Sequence, residues 1–311
     1  MSLLTFAAFA PLAGGEAVAA IFKRIQEKTM IKQIGILGAG QMGSGIAQVF
    51  AQQGLEVVLF DIAEAQLTKS LKGIERNLSR QVEKGQLDTT AVAGILKRIR
   101  TTDQMTELAE CDLAIEAVTE RESIKCEIFK QLDTLLKPEA ILASNTSSIP
   151  ITRIAAVTKR PEQVIGMHFM NPVPVMKLVE VIRGIATSEE TFANITALVE
   201  KIGKEMAVSA DYPGFIVNRI LIPMINEAAF ALYEGVASAE DIDKGMRLGT
   251  NQPMGPLTLA DFIGLDTCLA IMEVLYNGYK DSKYRPCPLL VKMVGAGYLG
   301  RKSGRGFYTY N

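Results

Sequence analysis

The feature that most constrains this chain is a glycine-punctuated turn between two kinds of periodicity. Gly38-Ala39-Gly40-Gln41-Met42-Gly43 spells GxGxxG. Lys32 to Leu37 before it reads as a strand, and Met42 to Gln53 after it reads as a helix. Glu56 to Phe60 reads as a second strand ending in Asp61, 18 residues past Gly43. The string alone is common. Between a strand and a helix, with an acid closing the next strand, it marks the first βαβ unit of a dinucleotide-binding sheet. Gly38 allows the tight turn, Gly40 lets the backbone approach a pyrophosphate, and Gly43 lets the helix pack closely on the strand. The helix N-terminus offers unpaired N–H groups and partial positive charge to phosphates. Asp61 is expected to accept hydrogen bonds from a ribose diol. Its charge would repel a 2′-phosphate, and Ile62 and Ala63 follow it in place of an arginine. NAD is therefore expected rather than NADP. A Rossmann-like glycine turn holding no nucleotide is the alternative.

The same alternation continues. Helical stretches fit Ala63 to Lys84, Thr89 to Arg98, Ser123 to Leu136 and Glu189 to Ile202. Short apolar strands fit Leu113–Val118, Ile141–Ala143, Val164–Met167, Lys177–Ile182 and Met206–Ser209. Alternating β and α implies an α/β Rossmann-type domain with a mostly parallel, doubly wound sheet covered on both faces. After Asp211 the texture changes. Pro213 to Glu234, Ala239 to Leu248 and Leu257 to Tyr276 have helical period, with punctuation at Pro253–Pro256. At 311 residues the chain is longer than one core usually holds. The expected division is an NAD-binding domain with a helical hairpin over 31–211 and an all-helical substrate and dimerisation domain over 212–311. Residues 1–30 form an extension of unknown role. Leu3 to Gly14 is apolar, and Glu16 to Lys28 could form an amphipathic helix. No positive charge precedes the apolar stretch, which argues against an export signal.

Composition removes several function classes. Lys plus Arg is 33 and Asp plus Glu is 34, a net charge of −1 that argues against nucleic-acid binding. No apolar run reaches the ~18 to 20 residues needed to span a bilayer. Four cysteines (Cys111, Cys126, Cys268 and Cys287) show no CxxC spacing. They suggest neither a disulfide framework nor a metal knuckle, and they fit a reducing compartment. A single histidine, His168, rules out a His-rich metal site, and no metal is expected.

On the long helix, Lys69, Lys72, Arg76, Arg80 and Lys84 are spaced 3, 4, 4 and 4. They fall within an arc of roughly 120°. Leu67, Leu71, Ile74, Leu78 and Val82 lie opposite. Glu83 interrupts the basic arc. Two readings stand: a solvated charged face, or a grip on a multiply phosphorylated ligand other than NAD.

His168 closes a predicted strand in Ile165-Gly166-Met167-His168-Phe169-Met170-Asn171-Pro172. Asn145-Thr146-Ser147-Ser148 occupies the same kind of position after another strand. Ligands of parallel α/β sheets lie outside the carboxyl ends of strands. Glu180 follows His168 by 12 residues in a second apolar strand, where a carboxylate needs a partner. A Glu holding one imidazole nitrogen fixes the tautomer and leaves the other nitrogen to take a proton. An ordinary imidazole titrates near ~6.5, suited to removing a hydroxyl proton as hydride leaves. The competing reading is a strand-end histidine bonded to backbone.

Together, GAGQMGSGIAQ, SNTSS, GMHFMNPVPVMKLVEV, PGFIVNR, NQPMGP and LGRKSGRGFY resemble the L-3-hydroxyacyl-CoA dehydrogenase family. The short-chain bacterial 3-hydroxybutyryl-CoA dehydrogenases are the most similar, and the resemblance runs from about Ile31 to Asn311. It implies reversible oxidation of a 3-hydroxyacyl-CoA by NAD, and a homodimer through the helical domain. It implies a cytoplasmic enzyme, or one of the mitochondrial matrix in a eukaryote. His168 matches the catalytic base and Glu180 its partner. Ser147 and Asn218 match groups that position substrate oxygens. Glu120, Lys125, Asn171 and Lys302 match cofactor neighbours, as does Ser147. Asn77 and Lys84 match a CoA contact on the long helix, with Arg80 between them. The Asn77 position is a serine in some relatives, and residues 1–30 fall outside the family's usual start. Another β-hydroxyacid or sugar-acid dehydrogenase is the rival enzyme reading. A non-catalytic NAD-binding or structural protein is the rival of a different class.

Overall fold

The computed structural model describes residues 31–310, so the extension and its expected helix at Glu16 to Lys28 lie outside the described residues. Eight strands form one sheet: β1 Gln33–Leu37, β2 Glu56–Phe60, β3 Ile99–Thr102, β4 Leu113–Glu116, β5 Ile141–Ser144, β6 Val164–Phe169, β7 Leu178–Arg183 and β8 Glu205–Ala210. Their order is β3-β2-β1-β4-β5-β6-β7-β8. Every neighbouring pair is parallel except β6 and β7. The connection between those two, residues 170–177, contains no helix. It is shorter than the dozen or more residues a parallel crossover requires. The expected mostly parallel sheet is present, and its one antiparallel step falls at His168.

The strands read as continuous apolar runs because both faces are buried. Ile34, Ile36, Val57 and Leu59 enter one core cluster. Leu37, Val58 and Phe60 enter another on the opposite face. Successive side chains of a strand point to opposite sides, so each run supplies two cores at once. Helix α1 (Gln41–Gln52) follows β1 directly, and α2 (Glu64–Glu83) and α3 (Thr89–Lys97) form the helical hairpin. Helices α4 (Glu122–Leu135), α5 (Ile151–Ala155) and α6 (Glu189–Lys201) complete the covering layers.

Beyond Asp211 the described residues add no further strand to the sheet, and helices follow: α7 (Val217–Tyr233), α8 (Ala239–Gly249), α9 (Pro256–Ile263), α10 (Leu265–Tyr279) and α11 (Pro288–Gly295). Their own core gathers Ile222, Ile225, Leu265, Cys268, Met272 and Leu290. Three local expectations need correction. The helix expected from Leu257 to Tyr276 is two helices, because Gly264 takes φ +104° and breaks the run. The helix expected from Pro213 begins only at Val217, since Gly214 and Phe215 adopt φ +77° and +50°. Such left-handed residues cannot continue a right-handed helix. Strand β3 and helix α11 were not expected, being short elements whose pattern is indistinct.

Candidate active site

The antiparallel step sets His168 directly opposite Glu180 in the β6–β7 register. His168 Nδ1 lies 2.7 Å from Glu180 Oε2. Both side chains are buried, Glu180 completely. The other carboxylate oxygen, Oε1, accepts hydrogen bonds from the N–H groups of Ile216 and Val217, each at 2.9 Å. These belong to the N-terminus of α7, where backbone donors are otherwise unpaired and favour negative charge. Burial pushes the Glu180 carboxyl upward. The His168 ring and the two N–H groups outweigh it and hold the carboxyl below its ordinary value. Glu180 is thus kept anionic and anchors one ring nitrogen, while Nε2 of His168 has no hydrogen-bond partner among the described residues. The buried Phe215 ring stands 5.9 Å from the imidazole.

The helix that caps Glu180 also carries Asn218, whose Nδ2 donates to the Ser147 carbonyl at 3.4 Å. The loop bearing Ser147 is tied to the histidine strand on its other side, where Phe169 N donates to Asn145 Oδ1 at 2.9 Å. His168, Glu180, Asn218 and Ser147 therefore form one connected constellation drawn from both parts of the chain.

Glu120 stands beside this loop. Its Oε1 accepts from Thr146 Oγ1 at 2.6 Å, Ser147 N at 2.9 Å and Ser148 Oγ at 2.9 Å. Partial burial raises the Glu120 carboxyl. The Lys125 charge and these hydrogen bonds prevail and hold it below its ordinary value. Lys125, matched above to a cofactor neighbour, lies beneath the loop. Its side chain is 1% exposed, and its ammonium pairs with Glu116 at 2.6 Å and Glu120 at 3.3 Å. Glu116 also accepts from Ser144 Oγ at 2.7 Å and Val118 N at 2.7 Å. A buried pair stripped of one partner leaves an uncompensated charge, so this chain fixes the loop's position. Lys302, also expected near the cofactor, is paired with Asp266 in the helical part. No hydrogen bond among the described residues joins it to the glycine turn.

The glycine turn fits NAD. A Cβ on Gly43 would stand 1.7 Å from the Gly38 carbonyl oxygen, so only glycine allows this contact of helix and turn. Gly38 has φ +100°, and a Cβ there would meet the Ala117 carbonyl at 2.7 Å. Gly40 differs: apart from its chain neighbours, no atom of the described residues lies within 4 Å of where its Cβ would be, leaving a cradle at the head of α1. No side chain caps that helix end. Its amides are free to meet a pyrophosphate. Asp61 sits at the turn, Oδ2 accepting from Ala39 N at 2.8 Å. Asn171 is held there by Gln41, whose Nε2 donates to Asn171 Oδ1 at 3.0 Å.

Two of the five cations of the basic stripe face a cavity of about 710 Å³. Asn77, Arg80 and Lys84 line one wall, while Lys69, Lys72 and Arg76 do not reach it. Lys177 and Lys204 line the same space. Neither they nor Glu116 are among the residues expected from sequence. Glu116 did leave a sign, a charge closing the apolar run Leu113-Ala114-Ile115, like Glu180 within its own strand. The two lysines left none, because only the folded chain brings them to the stripe.

The chain matches known proteins along nearly its whole described length. The family model of the 3-hydroxyacyl-CoA dehydrogenase NAD-binding domain matches residues 33–212, and that of the C-terminal domain matches 214–310. The probable 3-hydroxybutyryl-CoA dehydrogenase of Bacillus subtilis is 59% identical over 280 residues, covering 90% of this chain and 98% of its own. The 3-hydroxybutyryl-CoA dehydrogenase of Bradyrhizobium diazoefficiens is 58% identical over 281 residues, covering 90% and 96%. The crystal structure of (S)-3-hydroxybutyryl-CoA dehydrogenase PaaH1 from Ralstonia eutropha superposes with a TM-score of 0.89 at 52% identity, covering 91% of this chain and all of that one. The chain belongs to the 3-hydroxyacyl-CoA dehydrogenase family.

Proposed function

We propose that this protein oxidises (S)-3-hydroxyacyl-CoA to 3-oxoacyl-CoA with NAD, reversibly, and that 3-hydroxybutyryl-CoA is its preferred substrate. The observation that carries this reading is the His168–Glu180 pair, 2.7 Å apart and joined through α7 to Asn218 and Ser147. NAD, when bound at the glycine turn, supplies the acceptor for the hydride that leaves C3. The residues of the chain do the rest. Nε2 of His168 takes the 3-hydroxyl proton. Anionic Glu180 holds the ring in one tautomer and stabilises the positive charge that develops on it. Ser147 and Asn218 hold the reacting oxygens, and Glu120 with Lys125 keeps the Ser147 loop in place. Gly38, Gly40, Gly43, Asp61 and Asn171 hold the cofactor, and Asn77, Arg80 and Lys84 hold the CoA portion.

The helical part leaves Ile220, Leu248, Phe262 and Val236 exposed. That supports a homodimer formed through it, which light scattering would test. Among the described residues, no helix is long and apolar enough to cross a membrane. The four cysteines are free thiols. They support a reducing compartment, the cytoplasm or, in a eukaryote, the mitochondrial matrix.

Steady-state rates with NAD across 3-hydroxyacyl-CoA esters of increasing chain length test the proposal. The four-carbon ester should give the highest kcat/KM. A maximum at a long chain contradicts the short-chain assignment, and turnover of free hydroxy acids alone contradicts the CoA assignment.

A further inference from the structure

The cavity beside α2 has two walls. One is the expected basic stripe. The other comes from the loop after β6 and the turn before β8, and it contributes Lys177 and Lys204. Among the described residues, four cations line this space and no aspartate or glutamate does. In a chain with a net charge of −1, such an imbalance marks a place for an anion.

Lys204 is the informative member. Its Nζ donates to the carbonyl oxygens of Val173, at 2.5 Å, and Met176, at 2.6 Å. An ammonium has three donors, so one remains. No carboxylate among the described residues pairs with Lys204 in the ion pairs of this structure. Carbonyl dipoles do not cancel its charge. The side chain is half-buried, and burial alone lowers its pKa, the sign of a cation short of a counter-charge. The loop it clamps follows Asn171 and lies on α1, where a Cβ added to Gly45 would come within 2.8 Å of Val173.

We propose that Lys177 and Lys204 form the second wall of the site for the phosphates of the substrate's CoA nucleotide, facing Arg80 and Lys84 across the cavity. This rests on the CoA reading given above. Phosphates enter between the walls, Lys204 uses its remaining donor, and the exposed Lys177 adds a second charge. The clamp then links the occupied cavity to the loop that leads back to Asn171 and His168.

The experiment compares KM for 3-hydroxybutyryl-CoA with KM for the corresponding pantetheine ester, which lacks the nucleotide. Wild type, Lys177→Met, Lys204→Met and Lys204→Arg are measured. Lys177 is exposed and its variant keeps the test open should loss of the clamp unfold Lys204→Met. Each Met variant should raise KM for the CoA ester about tenfold, the size expected for one charged hydrogen bond. KM for the pantetheine ester should stay within about twofold, and Lys204→Arg should recover most of the loss. A wild type that favours the CoA ester, with both Met variants keeping that preference in full, overturns this inference alone. A wild type with equal KM for the two esters overturns the CoA reading and this inference with it.

Discussion

Glu180 and His168 face each other across the one antiparallel pair among the described strands of an otherwise parallel sheet, with Oε2 and Nδ1 2.7 Å apart. The same carboxylate receives the first amides of the helical part. One buried acid therefore orients the proposed base and joins the two halves of the chain. Glu180→Gln keeps an acceptor for those amides and removes the charge. It should lower kcat by ~10² to 10⁴ with little change in KM for NAD. Near-wild-type kcat would show that the charge is dispensable.

That charge also has a signature in stability. The folded carboxyl lies below its ordinary value of 4.5. A depressed carboxyl contributes stability fully present above that pH and lost as pH falls through the lower folded value. Acid unfolding of Glu180→Gln should accordingly be less steep than that of wild type below about pH 4.5. Superimposable curves would mean that Glu180 is held no more tightly folded than unfolded.

The glycines of the turn should separate by assay. Gly43→Ala drives a methyl into the Gly38 carbonyl, at 1.7 Å, and must move backbone. It should lower Tm by several degrees and weaken NAD binding together. Gly40→Ala meets no atom of the described residues beyond its chain neighbours. It should leave Tm nearly unchanged while raising KM for NAD at least about tenfold by filling the space a pyrophosphate approaches. A Gly40→Ala protein with normal KM for NAD would remove the cradle from the site.

Asp61 is anchored by Ala39 N, so its carboxylate has a fixed place at the turn. Asp61→Ser removes the charge that repels a 2′-phosphate. The ratio of kcat/KM for NAD over NADP should fall at least about tenfold. An unchanged ratio refutes the ribose role.

Of the basic stripe, only Arg80 and Lys84, with Asn77, line the cavity. Replacing Arg80 and Lys84 together by alanine should raise KM for a CoA ester far more than for a pantetheine ester. Lys69→Ala with Lys72→Ala, on the solvated half of the same helix, should change neither. Equal effects of both double variants would return the whole stripe to a solvated face.

The βαβ start was fully legible because strand, glycine turn, helix and acid are local in sequence and each has one physical reason. His168 and Glu180 were legible as a pair because a lone imidazole and a charge inside an apolar strand each demand a partner. Their direct opposition was not, since it depends on the loop at residues 170–177 being too short to cross over. The amides of Ile216 and Val217 carried no side-chain signal, and their exposure follows from where Gly214 and Phe215 turn left-handed. Lys125 is matched to a cofactor neighbour by resemblance alone, and a lysine's pattern does not reveal that it is buried against Glu116 and Glu120. Lys177 and Lys204 meet the stripe only through tertiary structure.

The most direct test is turnover of 3-hydroxybutyryl-CoA with NAD by wild type and by His168→Gln, followed as NADH formation at saturating substrate. Wild type should turn over, and the variant should lose ~10² to 10⁴ in kcat while still binding NAD. A His168→Gln protein with near-normal kcat would contradict the assignment of the proton to His168.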